Sequence, residues 1–193
     1  MNKTRALGLA IALLAAPLAA QAEDKISYNY VDAAYVVVDI DGLSKDADGF
    51  ALRGSFELNE NFFLFASYAD LSANVGGFNV DETDYALGAG YAWSVSDTMD
   101  VYGKLAWVRA EGEALGFSVD EDGFSVGVGL RAFVLDPLEL EGAVTYADLG
   151  DFGDSTTLGL AGRWYFTENF AVGAEVGVSD DTTSYGVGVR FQW

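Results

Sequence analysis

Residues Tyr185 to Trp193 read YGVGVRFQW. Tyr185, Val187, Val189, Phe191 and Trp193 share one face, and Gly186, Gly188, Arg190 and Gln192 share the other, which is the period of two of a β-strand. One face is apolar and the other small or charged. A strand of a soluble sandwich can alternate in this way, but it rarely finishes on a bare aromatic with no polar tail. A last strand that pairs with the first would remove both sheet edges.

Working back from this stretch, residues 23–193 divide into ten alternating segments, each near the roughly 9 to 11 residues that a tilted strand needs to cross a bilayer. The first runs from about Tyr28 to Ile40, with Val31, Ala33, Tyr35 and Val37 outward and Asp32 inward, although Val36 and Val38 make its other face apolar too. In the second, Phe50, Leu52, Phe56 and Leu58 oppose Arg53, Ser55 and Glu57. The third, Phe62 to Asp70, presents Phe62, Leu64, Ala66 and Tyr68 outward, with Phe63 and Phe65 blurring the contrast. Tyr85, Leu87, Ala89, Tyr91 and Trp93 mark the fourth, and Val101, Leu105 and Trp107 the fifth, opposite Tyr102, Lys104 and Ala106. The sixth sets Phe124, Val126, Val128 and Leu130 against Ser125, Gly127, Gly129 and Arg131. The next three place Glu139 and Glu141, then Arg163, then Glu175 on the inner face. Eight strands would require merging two segments, and no pair merges naturally.

Connections are short near 59–61, 95–99, 135–137 and 167–169, and mostly longer at 41–49, 71–83, 110–122, 148–155 and 179–183. The start of the chain has a basic region (Asn2, Lys3, Arg5), an apolar run from Leu7 to Leu13 and a small-residue cleavage site at Ala20-Gln21-Ala22. Residues 1–22 are therefore expected to be a cleaved secretory signal rather than an anchor, and residues 23–193 one folded domain.

Of the chain's 10 basic residues, removal of Lys3 and Arg5 leaves 8 against 30 acidic ones, a net charge of −22. That excludes nucleic acid as a partner, because phosphate contacts need Lys and Arg. With no cysteine there is neither a disulfide framework nor thiol chemistry. The 51% hydrophobic and 14% aromatic content argues against disorder.

Two placements of the charged face compete. In a soluble periplasmic β-sandwich the basic residues are ordinary solvated side chains. In a membrane barrel, Arg53, Lys104, Arg131, Arg163 and Arg190 fill the lumen beside Glu57, Glu139, Glu141 and Glu175. Five of eight basic residues would then lie inside an acidic protein, which favours a lumenal ion-pair network. Tyr91, Trp93, Trp107, Tyr146, Trp164, Phe166, Phe191 and Trp193 fall near strand ends, where interfacial aromatic girdles lie.

With its signal-like start, its alternating segments and its aromatic last strand, the chain resembles the small outer-membrane β-barrel domain family of Gram-negative bacteria, the OmpX-like and OmpA-like barrels. The resemblance implies an all-β, transmembrane, antiparallel up-and-down barrel in the cell outer membrane, surrounded by lipid and lipopolysaccharide. It also implies that Tyr185, Val187, Val189, Phe191 and Trp193 form a C-terminal signal for the barrel-insertion machinery. A monomer without cofactors is expected.

Fold alone leaves activity open. Enzymatic barrels of this architecture rely on a histidine, and this chain has none; Glu139 and Glu141 read as partners of lumenal Arg and Lys, so a non-enzymatic role is expected. Acidic residues crowd the longer connections, and Asp120, Glu121, Asp122, Asp180 and Asp181 are candidate ligands for divalent cations or bridges to lipopolysaccharide. A role in membrane integrity or surface interaction follows from those loops. A narrow ion or solute channel is the rival, because inward glycines at 88, 90, 127, 129, 159, 173, 177, 186 and 188 remove bulk from the lumen.

Overall fold

The computed structural model describes residues 26–42, 46–75, 77–114 and 116–193. The expected signal segment, residues 1–22, lies outside them. The strands are β1 (Tyr30–Ile40), β2 (Ala47–Glu57), β3 (Phe62–Val75), β4 (Phe78–Ser96), β5 (Met99–Ala114), β6 (Phe117–Leu135), β7 (Leu138–Asp148), β8 (Asp154–Tyr165), β9 (Phe170–Val178) and β10 (Thr182–Gln192). They close one antiparallel, up-and-down, ten-stranded barrel.

Closure runs through β1 and β10, in register from Tyr30 opposite Gln192 to Ile40 opposite Thr182. No sheet edge is left open, which is what the C-terminal alternation requires. The outward positions of Tyr185 to Trp193 are exposed, at 54, 62, 56, 42 and 44% for Tyr185, Val187, Val189, Phe191 and Trp193. A soluble sandwich would bury that apolar face, so the soluble reading is overturned.

Two aromatic belts bound the outward face. At the end that holds Tyr30 and Trp193, Phe62 packs on Tyr91 with ring centroids 4.9 Å apart, and Phe170 on Phe191 at 4.9 Å. At the far end Tyr35 meets Phe50 at 5.4 Å and Tyr68 meets Tyr85 at 5.5 Å. From Tyr85 to Trp93, β4 rises roughly 26 Å along the strand, about 20 Å along the barrel axis at the usual tilt of about 40°. That span suits an apolar membrane band.

At the terminal end the turns are tight. The Asn59 side chain accepts the backbone N–H of Asn61 and Phe62, both at 3.0 Å, and Thr167 Oγ1 accepts that of Phe170 at 3.1 Å. The far end differs from expectation. The connections expected at 71–83 and 110–122 are mostly strand: β3–β4 and β5–β6 run on as long hairpins whose tips place Gly77 (φ +89°) and Gly116 (φ +79°) in the left-handed region. Strand β1 begins at Tyr30, two residues later than expected, because Tyr28 leaves the sheet and enters the lumen.

Candidate functional site

The lumen divides into two layers. Near the terminal end it is filled by ion pairs and aromatic rings, built because inward positions of adjacent strands alternate charge with aromatic or glycine. Arg53 on β2 donates to Glu175 on β9, Nη1 to Oε2 at 2.7 Å. Arg190 on β10 donates to Asp32 on β1, Nε to Oδ1 at 2.6 Å, and its guanidinium lies 4.0 Å from the Tyr30 ring centroid. Arg131 on β6 donates to Glu139 on β7 at 3.0 Å. Arg163 on β8 donates to both Glu139 and Glu141 at 3.3 Å, and Tyr102 on β5 donates to Glu141. Arg131 and Glu139 are fully buried.

Lys104 and Glu57 are placed differently from the arginines. The Lys104 ammonium lies 5.1 Å from the Phe65 ring centroid and 5.4 Å from that of Tyr102. Glu57 ties down the segment before β1, accepting from the Tyr28 backbone N–H and, at 3.1 Å, from Asn29 Nδ2; Asn29 Oδ1 in turn accepts the Glu57 N–H at 2.9 Å.

That segment closes the terminal mouth. Ile26, Ser27 and Tyr28 are buried, and the Tyr28 ring stacks on Phe63 with centroids 4.4 Å apart. Arg131 lies 4.7 Å from the Tyr28 centroid on its way to the Ser27 carbonyl, 3.2 Å from Nη1. The inward glycines make room for this packing. A Cβ on Gly90 would stand 2.1 Å from Phe63 Cζ, and one on Gly129 2.4 Å from the Tyr102 hydroxyl. The space they release is occupied by rings; two cavities along the lumen wall, one beside Arg163 and Arg190 and one beside Glu141 and Thr157, hold about 30 Å³ each, while a recess of about 380 Å³ opens at the terminal end beside Ile26, Asn29, Glu57 and Trp193. Either lumenal cavity has room for ordered water but not for a solute path.

Toward the far end the lining turns apolar: Val36, Val38, Ile40, Ala47, Ala69, Leu71 and Ala73 form one buried cluster. Leu149, just before the short helical turn Gly150–Phe152, is buried in a second cluster with Val108 and Ala110. Two carboxylates, Glu82 and Asp84 on β4, are buried here. Glu82 falls within the connection expected at 71–83 and Asp84 directly after it; instead, β4 carries both on its inward face.

The candidate cation ligands do not converge. Arg109 on β5 donates to Asp120 at 2.8 Å, Asp122 at 3.2 Å and Glu111 at 2.7 Å, so a guanidinium already serves these carboxylates. The Glu121 carboxylate turns toward Gly150, while Asp180 and Asp181 are exposed, the Asp181 carbonyl accepting the Asp41 N–H at 2.9 Å. Among the described residues no three acidic side chains are grouped to hold a metal ion.

Residues 8–192 match the family described as outer membrane protein beta-barrel domain. The chain belongs to that family. As an outer-membrane β-barrel it resides in the outer membrane; in barrels of this kind the short turns face the periplasm and the longer connections the outside, a pattern that the terminal and far ends here follow. No curated protein sequence matches it. Among solved structures, the KdgM porin in complex with disordered oligogalacturonate is 14% identical, with a TM-score of 0.55, over 85% of this chain and 99% of that one. The translocator domain of autotransporter NalP from Neisseria meningitidis is 12% identical, with a TM-score of 0.51, over 85% and 87%. At such identities the likeness is one of fold.

Sequence reasoning missed three parts of this outer-membrane barrel's interior. Asp32 had been placed inward but not paired with Arg190, because the pairing needs the β1–β10 register. Tyr28 had been read as strand. Glu82 and Asp84 carried a detectable signal, since both share the parity of inward Ala86, Gly88 and Gly90.

Proposed function

We propose that this protein is a closed, non-enzymatic outer-membrane barrel that supports envelope integrity and presents acidic hairpins at the cell surface. The observation that carries the reading is the filled periplasmic half of the lumen, where Arg131, Glu139, Tyr28 and Phe63 are all buried against one another. The extracellular hairpins rise about eight residues beyond Tyr85 and Trp107, roughly 26 Å of strand. Their outer faces carry Asp70, Asp81, Glu111, Glu113, Asp120 and Asp122, which makes them a charged surface held clear of the lipid. The absence of histidine, together with the engagement of Glu139 and Glu141 by Arg163, supports a non-catalytic interior.

The channel reading finds less support. The oligogalacturonate in the KdgM structure is a polyanion, whereas the lumenal Arg53, Arg131, Arg163 and Arg190 of this protein are all engaged by carboxylates within the barrel, Arg131 and Arg163 sharing Glu139. The exposed face of Tyr185, Val187, Val189, Phe191 and Trp193 supports delivery by the barrel-insertion machinery. Liposome swelling tests the proposal: vesicles containing folded protein are expected to swell in small sugars no faster than empty vesicles, and faster swelling would restore the channel.

A further inference from the structure

The lumenal arginines all meet carboxylates, but among the described residues no cation pairs with Glu82 or Asp84. They are 5% and 3% exposed, and both oxygens of Asp84 and Oε1 of Glu82 have no hydrogen-bond partner. Their neighbours in register supply no donor side chain: Glu82 lies between Leu71 and Gly112, and Asp84 between Ala69 and Ala110. Lys104, the inward cation of the adjoining strand, stands six residues further toward the periplasm than Ala110.

Two residues apart on one face of a strand, the pair has Cα atoms about 6.6 Å apart, and Asp84 feels the charge of Glu82. A pair of ionised carboxylates buried among apolar side chains is strongly unfavourable without a counter-charge. Arg109 does not supply one, because it sits on the outer face with Glu111, Asp120 and Asp122.

We propose that Glu82 and Asp84 bind one hard divalent cation, Ca²⁺ or Mg²⁺, bridged between the two carboxylates just inside the extracellular mouth. Carboxylate oxygens are the preferred ligands of such ions, and one divalent charge neutralises the pair. With two protein carboxylates, water completes the shell. A ligand bound by the folded state alone raises the unfolding temperature by mass action.

The test uses the full mature chain folded in detergent, with CaCl₂, MgCl₂ and NaCl compared at equal ionic strength. Calorimetric titration is expected to find one Ca²⁺ or Mg²⁺ per chain, with a rise in unfolding temperature that NaCl does not reproduce. A response to both ions marks a site that accepts a hydrated ion, and a response to Ca²⁺ alone marks one that strips water; either supports the proposal. Glu82→Gln/Asp84→Asn is expected to weaken binding at least tenfold and abolish the thermal shift, whereas Asp120→Asn/Asp122→Asn keeps both. Should the double variant fail to fold, Asp84→Asn alone is titrated, with the same loss expected. No divalent response in the wild type overturns the proposal. Stabilisation by acidification alone also overturns it, because protons then neutralise the pair, and so does a full response in the Glu82/Asp84 variants, because the ion then sits on the outer rim.

Discussion

Arg53 and Glu175 lie 122 residues apart in sequence and on strands that are not neighbours, yet Arg53 Nη1 stands 2.7 Å from Glu175 Oε2. This chord across the lumen ties β2 to β9 over the β1–β10 closure. Removing Glu175 leaves Arg53 buried and unpaired, and removing Arg53 leaves Glu175 half-buried without its partner. Arg53→Met or Glu175→Gln alone is expected to destabilise the folded barrel by about 3 to 5 kcal/mol. The double substitution should recover much of that loss, read as a double-mutant cycle from urea unfolding in detergent or lipid.

The depth of the apolar band can be checked along one strand. Val128 lies mid-band on the outer face of β6, 61% exposed. Val128→Arg is expected to impair membrane folding by about 2 to 4 kcal/mol. Ser118 on the same face of the strand is also exposed, but above the Trp107–Phe124 level, so Ser118→Arg should change folding free energy little. Equal effects at the two sites would mean that the band is misplaced.

Glycine in this lumen is a seat for rings. A methyl group on Gly90 meets Phe63, which already stacks on Tyr28. Gly90→Ala is therefore expected to cost about 1 to 3 kcal/mol through overpacking. Gly54, whose added Cβ meets nothing closer than 3.8 Å, should tolerate alanine far better. Thermal melts of the two variants decide the comparison.

The Tyr28 plug joins stability to permeability. Tyr28→Ala removes a buried ring that touches Phe63 and Arg131, at an expected cost of about 3 to 5 kcal/mol. The same variant is expected to show brief current openings that the wild type lacks, whereas Tyr28→Phe keeps the stack and stays silent.

Strand faces were legible in the sequence wherever lipid fixes the pattern, as in Leu87, Ala89 and Tyr91 against Gly88, Gly90 and Ala92. Above the far aromatic belt the pattern inverts: Asp70, Ser72, Asp81 and Thr83 face out into water, and Leu71 and Ala73 face in. Polar-out, apolar-in strands rich in acid read as loops when lipid contact is assumed, and this hid the height of the two hairpins. The same inversion explains the two-sided apolarity of β1, whose Val36, Val38 and Ile40 line the upper lumen. The basic residues of the lumen were legible by parity. Their partners were not, because which arginine meets which carboxylate depends on strand stagger around the closed barrel.

The central claim is that the periplasmic half of the lumen is shut. Planar-bilayer recording of the mature chain, with folding verified by heat-dependent gel mobility, tests it most directly. The account predicts a flat trace at all applied voltages. Discrete, reproducible current steps from properly folded wild-type protein would contradict it.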